Sequence, residues 1–328
     1  MPRIACKKQL VLIGLVNGPV LCSAWRNRKL TDGMAMQGTM TWTRRAGMLL
    51  CLILWLAQPG QAEDAADRLT ARLADAAPGT VIPLPPGDYG TLSVRDLAGT
   101  VSAPITLRGA DPADPPRFSR LTLNETRHIV LEHIQLAHRF TPGDPGWFRP
   151  FRVIGGGGIV FRHVTVTGDD AHGEGPGKDG FPTAYGLSVS KTDGFRLEDS
   201  EIRGFARGLV VGQSRDLVIL RNDLHDIRSD GMNFVEVTQL LVEDNLIHDF
   251  RTSPESGDHP DMIQFWTTGT KAPSTDVTIR GNILNSGQGG HTQTIFMRNE
   301  EVDNGRAGPE MFYQNITIED NVILNAHL

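Results

Sequence analysis

The feature that most constrains this chain is a repeated phrase. Ile-Thr-Ile-Glu-Asp-Asn321 recurs, with variation, as Val-Thr-Ile-Arg-Gly-Asn282, Leu-Leu-Val-Glu-Asp-Asn245, Leu-Val-Ile-Leu-Arg-Asn222 and Phe-Arg-Leu-Glu-Asp-Ser200. Looser copies end at Ile134 and Val164. From Ser200 onward the spacings are 22, 23, 37 and 39 residues. A self-similar unit of this length, built from short β-branched runs, is the mark of a solenoid, in which one unit buries its apolar face only against the next. The two longer spacings read as one standard coil plus an inserted loop of roughly 15 residues on one face.

Each coil holds a second strand. Tyr185–Lys191 aligns with Arg207–Gln213, Asp230–Glu236, Asp261–Thr267 and Gln293–Asn299. Side chains alternate along a strand. Leu187, Leu209, Met232, Ile263 and Ile295, with Val189, Val211, Phe234, Phe265 and Met297, are apolar in every copy and point inward. The remaining positions then face solvent, among them Tyr185, Arg207, Asp230 and Asp261, then Asn233 and Gln264, then Trp266 and Arg298. Stacked polar, charged and aromatic groups of this kind suit a carbohydrate surface.

Upstream, Arg44-Arg45, the ten-residue apolar run Met48–Ala57 and a small residue at Ala62 read as a signal peptide. The run is shorter than the roughly 20 residues a spanning helix needs. No stable membrane anchor is then expected after cleavage, and the product is secreted or periplasmic. Residues 1–39 hold a second, weaker signal-like run, and a start at Met40 is the simplest account. Residues 1–62 are thus an upstream extension and signal, and 63–328 one repeat domain. Cys6, Cys22 and Cys51 all precede the cut, which excludes disulfides, thiol nucleophiles and Cys-zinc sites downstream. The same cut leaves 24 Lys+Arg against 37 Asp+Glu, a net charge of −13 over 266 residues. That acidity argues against nucleic acid as a partner and suits a divalent cation held by oxygen ligands.

Within the repeat domain, Asp64–Ala77 reads as a short amphipathic capping helix, with Leu69 and Leu73 on one side. Residues 138–158 and 168–183, rich in Gly, Pro and Asp, read as long loops. Gly155–Gly158 open no helix, so they read as a flexible turn and not as a phosphate loop. The sequence stops at Leu328 without a polar cap, which leaves two readings: a truncated chain, or end-to-end assembly. The oligomeric state is open.

Thr80-Val-Ile-Pro-Leu84, Gly87-Asp-Tyr89 and Pro104-Ile-Thr-Leu-Arg-Gly109 resemble the opening coils of secreted pectate-lyase-like proteins of the chondroitinase-B and alginate-lyase type. The Asn222, Asn245, Asn282, Asn321 series is similar to the asparagine ladder of that fold. The resemblance spans about residues 78–328. It implies an all-β, right-handed parallel β-helix acting on an acidic polysaccharide as a lyase or C-5 epimerase. It also implies that a Lys and an Arg perform proton chemistry beside calcium; Lys191 and Arg298 are the candidates here. Asp230-Gly-Met-Asn-Phe also resembles a coil of mannuronan C-5 epimerases. Their Asp-Pro-His motif one coil earlier is replaced here by Gly208–Gly212.

Chemistry concentrates at Asp258-His259-Pro260-Asp261. Asp261 aligns with Asp230, and neighbouring strands lie about 4.8 Å apart. Like charges at that distance raise one pKa unless a cation lies between them. The pair is then either a proton donor or, with Asp258, a calcium site, with His259 as base. The alternative is that Asp258 and Asp261 only cap backbone amides in a Pro turn. Arg298 is a further catalytic candidate, able to hold a carboxylate. Tyr185, Arg207, Asn233, Gln264, Trp266 and His291 are substrate-binding candidates, Trp266 by stacking on a sugar ring. The Gly-rich loop with Asp169, Asp170, Glu174 and Asp179, four carboxylates in eleven residues, is an alternative Ca²⁺ site or a solvated acidic loop. Besides a lyase or epimerase, two readings stay open: a glycoside hydrolase using the Asp pair, and a β-helix that binds glycans without turnover.

Overall fold

A computed structural model of the chain describes residues 59–326, apart from 142, 169–179, 254–256 and 288–291. The signal-like run Met48–Ala57, the acidic loop with Asp169, Asp170, Glu174 and Asp179, and His291 lie outside the described residues. Among the described residues no helix is long and apolar enough to cross a membrane.

The chain winds into a right-handed parallel β-helix, the hand that parallel crossovers take. Three parallel sheets run its length, one of nine strands and two of eight, and every pairing joins one coil to the next. Strands of the nine-stranded sheet run from Val81–Leu84 to Gln314–Glu319, and one eight-stranded sheet consists of short strands from Arg117–Phe118 to Val322–Leu324. The other eight-stranded sheet, from Thr91–Arg95 to Gln293–Met297, carries the candidate site and is called the groove sheet below. The capping helix spans Pro59–Ala74 and buries Leu69 and Leu73 against the core. It stops three residues earlier than the sequence suggests, because Pro78 disfavours helical backbone at Ala77.

The repeated phrase is the bend between the nine-stranded and short-strand sheets. The residue before each ladder position is left-handed: Asp199, Arg221, Asp244, Gly281 and Asp320 have φ from 49° to 67°. The buried side chain that follows then meets the backbone of the coil before it. Asn245 Oδ1 accepts from the Asn222 amide at 2.9 Å, Asn282 Oδ1 from the Asn245 amide at 2.9 Å, and Asn321 Oδ1 from the Asn282 amide at 3.0 Å. Ser200 heads the column; its Oγ accepts from the Val164 amide at 3.0 Å. The four asparagines therefore occupy equivalent turns.

Two loop assignments are corrected. Within 138–158, Phe151–Ile154 is a groove-sheet strand with Phe151 and Val153 fully buried. The strand is hidden in the sequence by the glycines after it. Those glycines are close-packed: Gly155, Gly156 and Gly158 have φ near 70°, and a Cβ at Gly156 would collide with the Thr126 carbonyl. The four-glycine turn is tight, not flexible.

On the short-strand sheet, His225 and His248 stack with ring centroids 5.1 Å apart. His248 Nδ1 meets Asp249 at 2.7 Å and Nε2 meets Asp223 at 2.8 Å. Burial works against its protonation, but the two carboxylates prevail and raise its pKa above the usual value. A raised histidine pKa stabilises the fold below the unfolded value of 6.5, and that contribution disappears as pH climbs through the folded value. Urea titrations from pH 6 upward should show stability falling with pH, and His248→Gln should flatten that fall. An unchanged slope in the variant would assign the fall to other groups.

Candidate functional site

The site lies on the outer side of the groove sheet, and a break in strand alternation puts it there. Tyr185 pairs with Arg207 and Leu187 with Leu209, yet Gly186 and Gly208 between them make no ladder pair. A Cβ at Gly208 would face Leu224 and Ile227, and one at Gly231 would face Ile247, all three in the core. Second and third residues of these strands thus both point inward, and the first points outward. Asp230 and Asp261 therefore reach the outer side although they share parity with the core residues Met232 and Ile263.

The expectation of exposure is corrected. Asp230 and Asp261 are 1% and 0% exposed, because their neighbours close over them. Arg207 Nε meets Asp230 Oδ2 at 3.0 Å. Asn233 Nδ2 donates to Asp230 Oδ2 at 3.1 Å and to Gln264 Oε1 at 2.6 Å, and Gln264 Nε2 donates to Asp261 Oδ2 at 2.8 Å. Five side chains thus form one relay across three coils. His259 Nδ1 joins it at Asp261 Oδ2, 3.1 Å away, while half of the histidine side chain stays in solvent. Phe296 holds the imidazole edge-on at 5.1 Å.

Burial, then the charge of Asp230, pushes Asp261 up to about 6, against the pull of His259 and Gln264. Asp230 is raised as well, by burial, with Arg207, Asn233 and Ser229 opposing. Two buried acceptors in the relay, Asp261 Oδ1 and Asn233 Oδ1, have no hydrogen-bond donor. The carboxylate oxygen is a natural seat for a proton when Asp261 takes one.

Calcium between Asp230, Asp261 and Asp258 does not fit this arrangement. The groups that meet the two buried carboxylates are the Arg207 guanidinium, the amide nitrogens of Asn233 and Gln264, the His259 imidazole and one hydroxyl, that of Ser229, where a calcium site needs a shell of oxygens. Asp258 is turned to Arg228 at 2.5 Å. Among the described residues no group of three or more His, Cys, Asp or Glu is disposed to hold a metal ion.

Above the relay opens a cavity of about 370 Å³ lined by Trp147, Tyr185, Arg207, Arg228, Ser229 and Asp258, among others. Trp147 is 67% exposed. Tyr185 carries two guanidinium groups over its ring, those of Arg207 at 5.1 Å and Arg149 at 5.3 Å. The other candidates lie elsewhere. Trp266 opens on a separate cavity at the opposite ends of the strands. Arg298 follows the last groove strand and pairs with Asp303 at 3.2 Å, and Lys191 is an exposed left-handed turn residue. Trp147, Arg149 and Arg228 are the residues that sequence reasoning missed. Trp147 and Arg149 sit in a stretch with no repeat, where the only signal is an aromatic and a cation amid Gly and Pro.

No protein-family model matches this chain, and no curated protein sequence matches it. Among solved structures it is similar to the surface adhesin PfbA of Streptococcus pneumoniae, with TM-score 0.51, 11% identity, and coverage of 81% of this chain and 76% of that one. It is also similar to pectate lyase Pel9A, with TM-score 0.46, 12% identity and coverage of 77% and 72%. A third likeness is the periplasmic alginate epimerase AlgG, with TM-score 0.46, 9% identity and coverage of 75% and 61%. At such identities the likeness is one of fold, the right-handed parallel β-helix.

Proposed function

We propose that this chain is a secreted or periplasmic carbohydrate-active β-helix that removes the proton α to the carboxylate of a uronate sugar, as a lyase or C-5 epimerase. The observation that carries the reading is the exposed His259 held by the buried Asp261. An ionised Asp261 accepts from Nδ1–H, which fixes the tautomer and leaves Nε2 as the outward-facing base. The α-proton becomes acidic only when the sugar carboxylate is neutralised. Arg207, over the Tyr185 ring, is the cation beside the relay. Trp147 offers a face for a sugar ring. In a lyase, Nε2 takes the α-proton and the β carbon–oxygen bond breaks, its electron pair leaving with the departing sugar oxygen. An epimerase returns a proton to the opposite face instead. The names of the lyase and epimerase among the similar structures agree with this reading.

A hydrolase is the second reading. It is favoured by the Asp230–Asp261 pair, with Asp261 at about 6, the position of a general acid. A panel of acidic polysaccharides separates the outcomes. A lyase gives ultraviolet-absorbing unsaturated ends, an epimerase a changed sugar composition, and a hydrolase reducing ends alone. A binder without turnover, as the name of the pneumococcal adhesin suggests for that protein, gives none of these. Unsaturated or epimerised product is expected from the wild type, surviving chelation, and lowered at least 100-fold in a folded His259→Ala variant. Full activity in that variant would place the base elsewhere. Loss on chelation would pass the neutralising role to a metal.

A further inference from the structure

The groove sheet holds a second cavity, of about 350 Å³, at the opposite ends of the same strands. Asp261 and Trp266 are five residues apart, roughly 16 Å along an extended chain. Arg149, Arg152, Ser188, Gln213, Glu236 and Trp266 are among its lining residues. Two of them present buried polar atoms with no hydrogen-bond partner: Ser188 Oγ and Trp266 Nε1. Ser188 is only 8% exposed. An unpartnered buried donor is costly to a fold, and here two of them belong to residues that line one cavity.

The charge is equally one-sided. Among the described residues neither Arg149 nor Arg152 has a carboxylate partner; Arg149 lies over Tyr185, and Arg152 Nη2 reaches the Thr122 hydroxyl at 3.4 Å. The acid in the cavity, Glu236, is occupied. Its carboxylate accepts from the Lys271 and Ala272 amides. Despite the burial that opposes this, these contacts and Gln213 hold its pKa below the ordinary range. Two exposed guanidinium groups thus lie beside two orphan donors, and Arg149 of this cavity stacks over Tyr185 of the one above Asp230.

We infer that this cavity is a second subsite, binding the carboxylate of another uronate unit of the same polymer through Arg149 and Arg152, with sugar oxygens accepting from Trp266 Nε1 and Ser188 Oγ. The assignment rests on the uronate reading above and goes beyond it in making the groove a multi-unit binding site. A sugar oxygen completes the two donors that the fold leaves unmet. A guanidinium pairs with a carboxylate through two parallel hydrogen bonds.

Calorimetry with tetragalacturonate, tetramannuronate and a neutral tetrasaccharide tests it. Wild type should bind a uronate tetramer in preference to the neutral one. Arg149→Ala with Arg152→Ala should weaken that binding about 10- to 100-fold, and Trp266→Phe about 3- to 10-fold. Ser188→Ala is the control against a merely structural role: deleting an unpartnered buried hydroxyl should leave the melting temperature unchanged or higher, while affinity falls. Variants that melt like wild type and bind the tetramer equally would overturn the subsite and leave the proposed function standing. Equal affinity for the neutral tetrasaccharide would overturn the carboxylate assignment. A wild type that binds no uronate would overturn the subsite together with the proposed function.

Discussion

Asp261→Asn should abolish turnover and stabilise the protein at the same time. The wild-type carboxylate is fully buried and pushed up to about 6, by burial and by Asp230. A carboxyl raised above its unfolded value of 3.8 binds its proton more tightly in the folded state. The contribution of this one group is therefore fully present below pH 4, declines as pH rises toward 6, and is lost above it. Asparagine keeps the shape, has no charge to bury, and should recover on the order of 2 kcal/mol above pH 6. Turnover should move the other way. Without the carboxylate, His259 loses the acceptor that fixes its tautomer, a change that costs 10²- to 10⁴-fold where a histidine base depends on it. Urea titrations at pH 4 and pH 7, beside initial rates on the uronate polymer, measure both effects. A variant that is more stable yet fully active would leave Asp261 structural and remove His259 from the chemistry.

The opposed directions explain which parts of the molecule the sequence could disclose. Asn222, Asn245, Asn282 and Asn321 are legible because the fold demands the same residue at every bend, and the demand recurs with the coil. The core rows through Met232 and Phe234 are legible for the same reason. Asp258-His259-Pro260-Asp261 stood out as a local cluster, and the contact between His259 and Asp261 needs only two residues of spacing. The burial of Asp230 and Asp261 was not legible. It depends on Arg207, Asn233, Gln264 and His259 closing over the two carboxylates, contacts drawn from three coils that no single stretch of sequence displays. Nor was the true partner of Asp258: Arg228 meets it from 30 residues away, across an inserted loop. Trp147 and Arg149 lie where no neighbouring coil supplies a copy to align, and Arg152 lies on the strand Phe151–Ile154, which the glycines after it conceal. Repetition reveals scaffold, while the site is assembled from the positions at which the coils differ.

The scaffold carries the largest stability effect expected of a single ladder substitution. Asn245 is 1% exposed and stands mid-column. Its Oδ1 takes the Asn222 amide and Asn222 Nδ2, each at 2.9 Å, and its Nδ2 reaches the Ile219 and Glu243 carbonyls at 2.9 and 3.0 Å. Asn245→Ala leaves those donors and acceptors unmet inside the coil, where each orphaned group costs about 1–3 kcal/mol. With some relaxation, about 3 kcal/mol should be lost in urea titration, against less than about 0.5 kcal/mol for Ser93→Ala on the exposed side of the strand Thr91–Arg95. The chain contains its own control. Ser200 holds the equivalent place one coil before Asn222, and its hydroxyl both accepts from the Val164 amide and donates to the Glu198 carbonyl. Asn245→Ser should therefore lose less than Asn245→Ala. Asn245→Asp should lose more than Asn245→Ser, because it sets a carboxylate oxygen against the two carbonyls that now accept from Nδ2. If alanine, serine and aspartate all cost the same, the column is held by packing, and its hydrogen bonds contribute little.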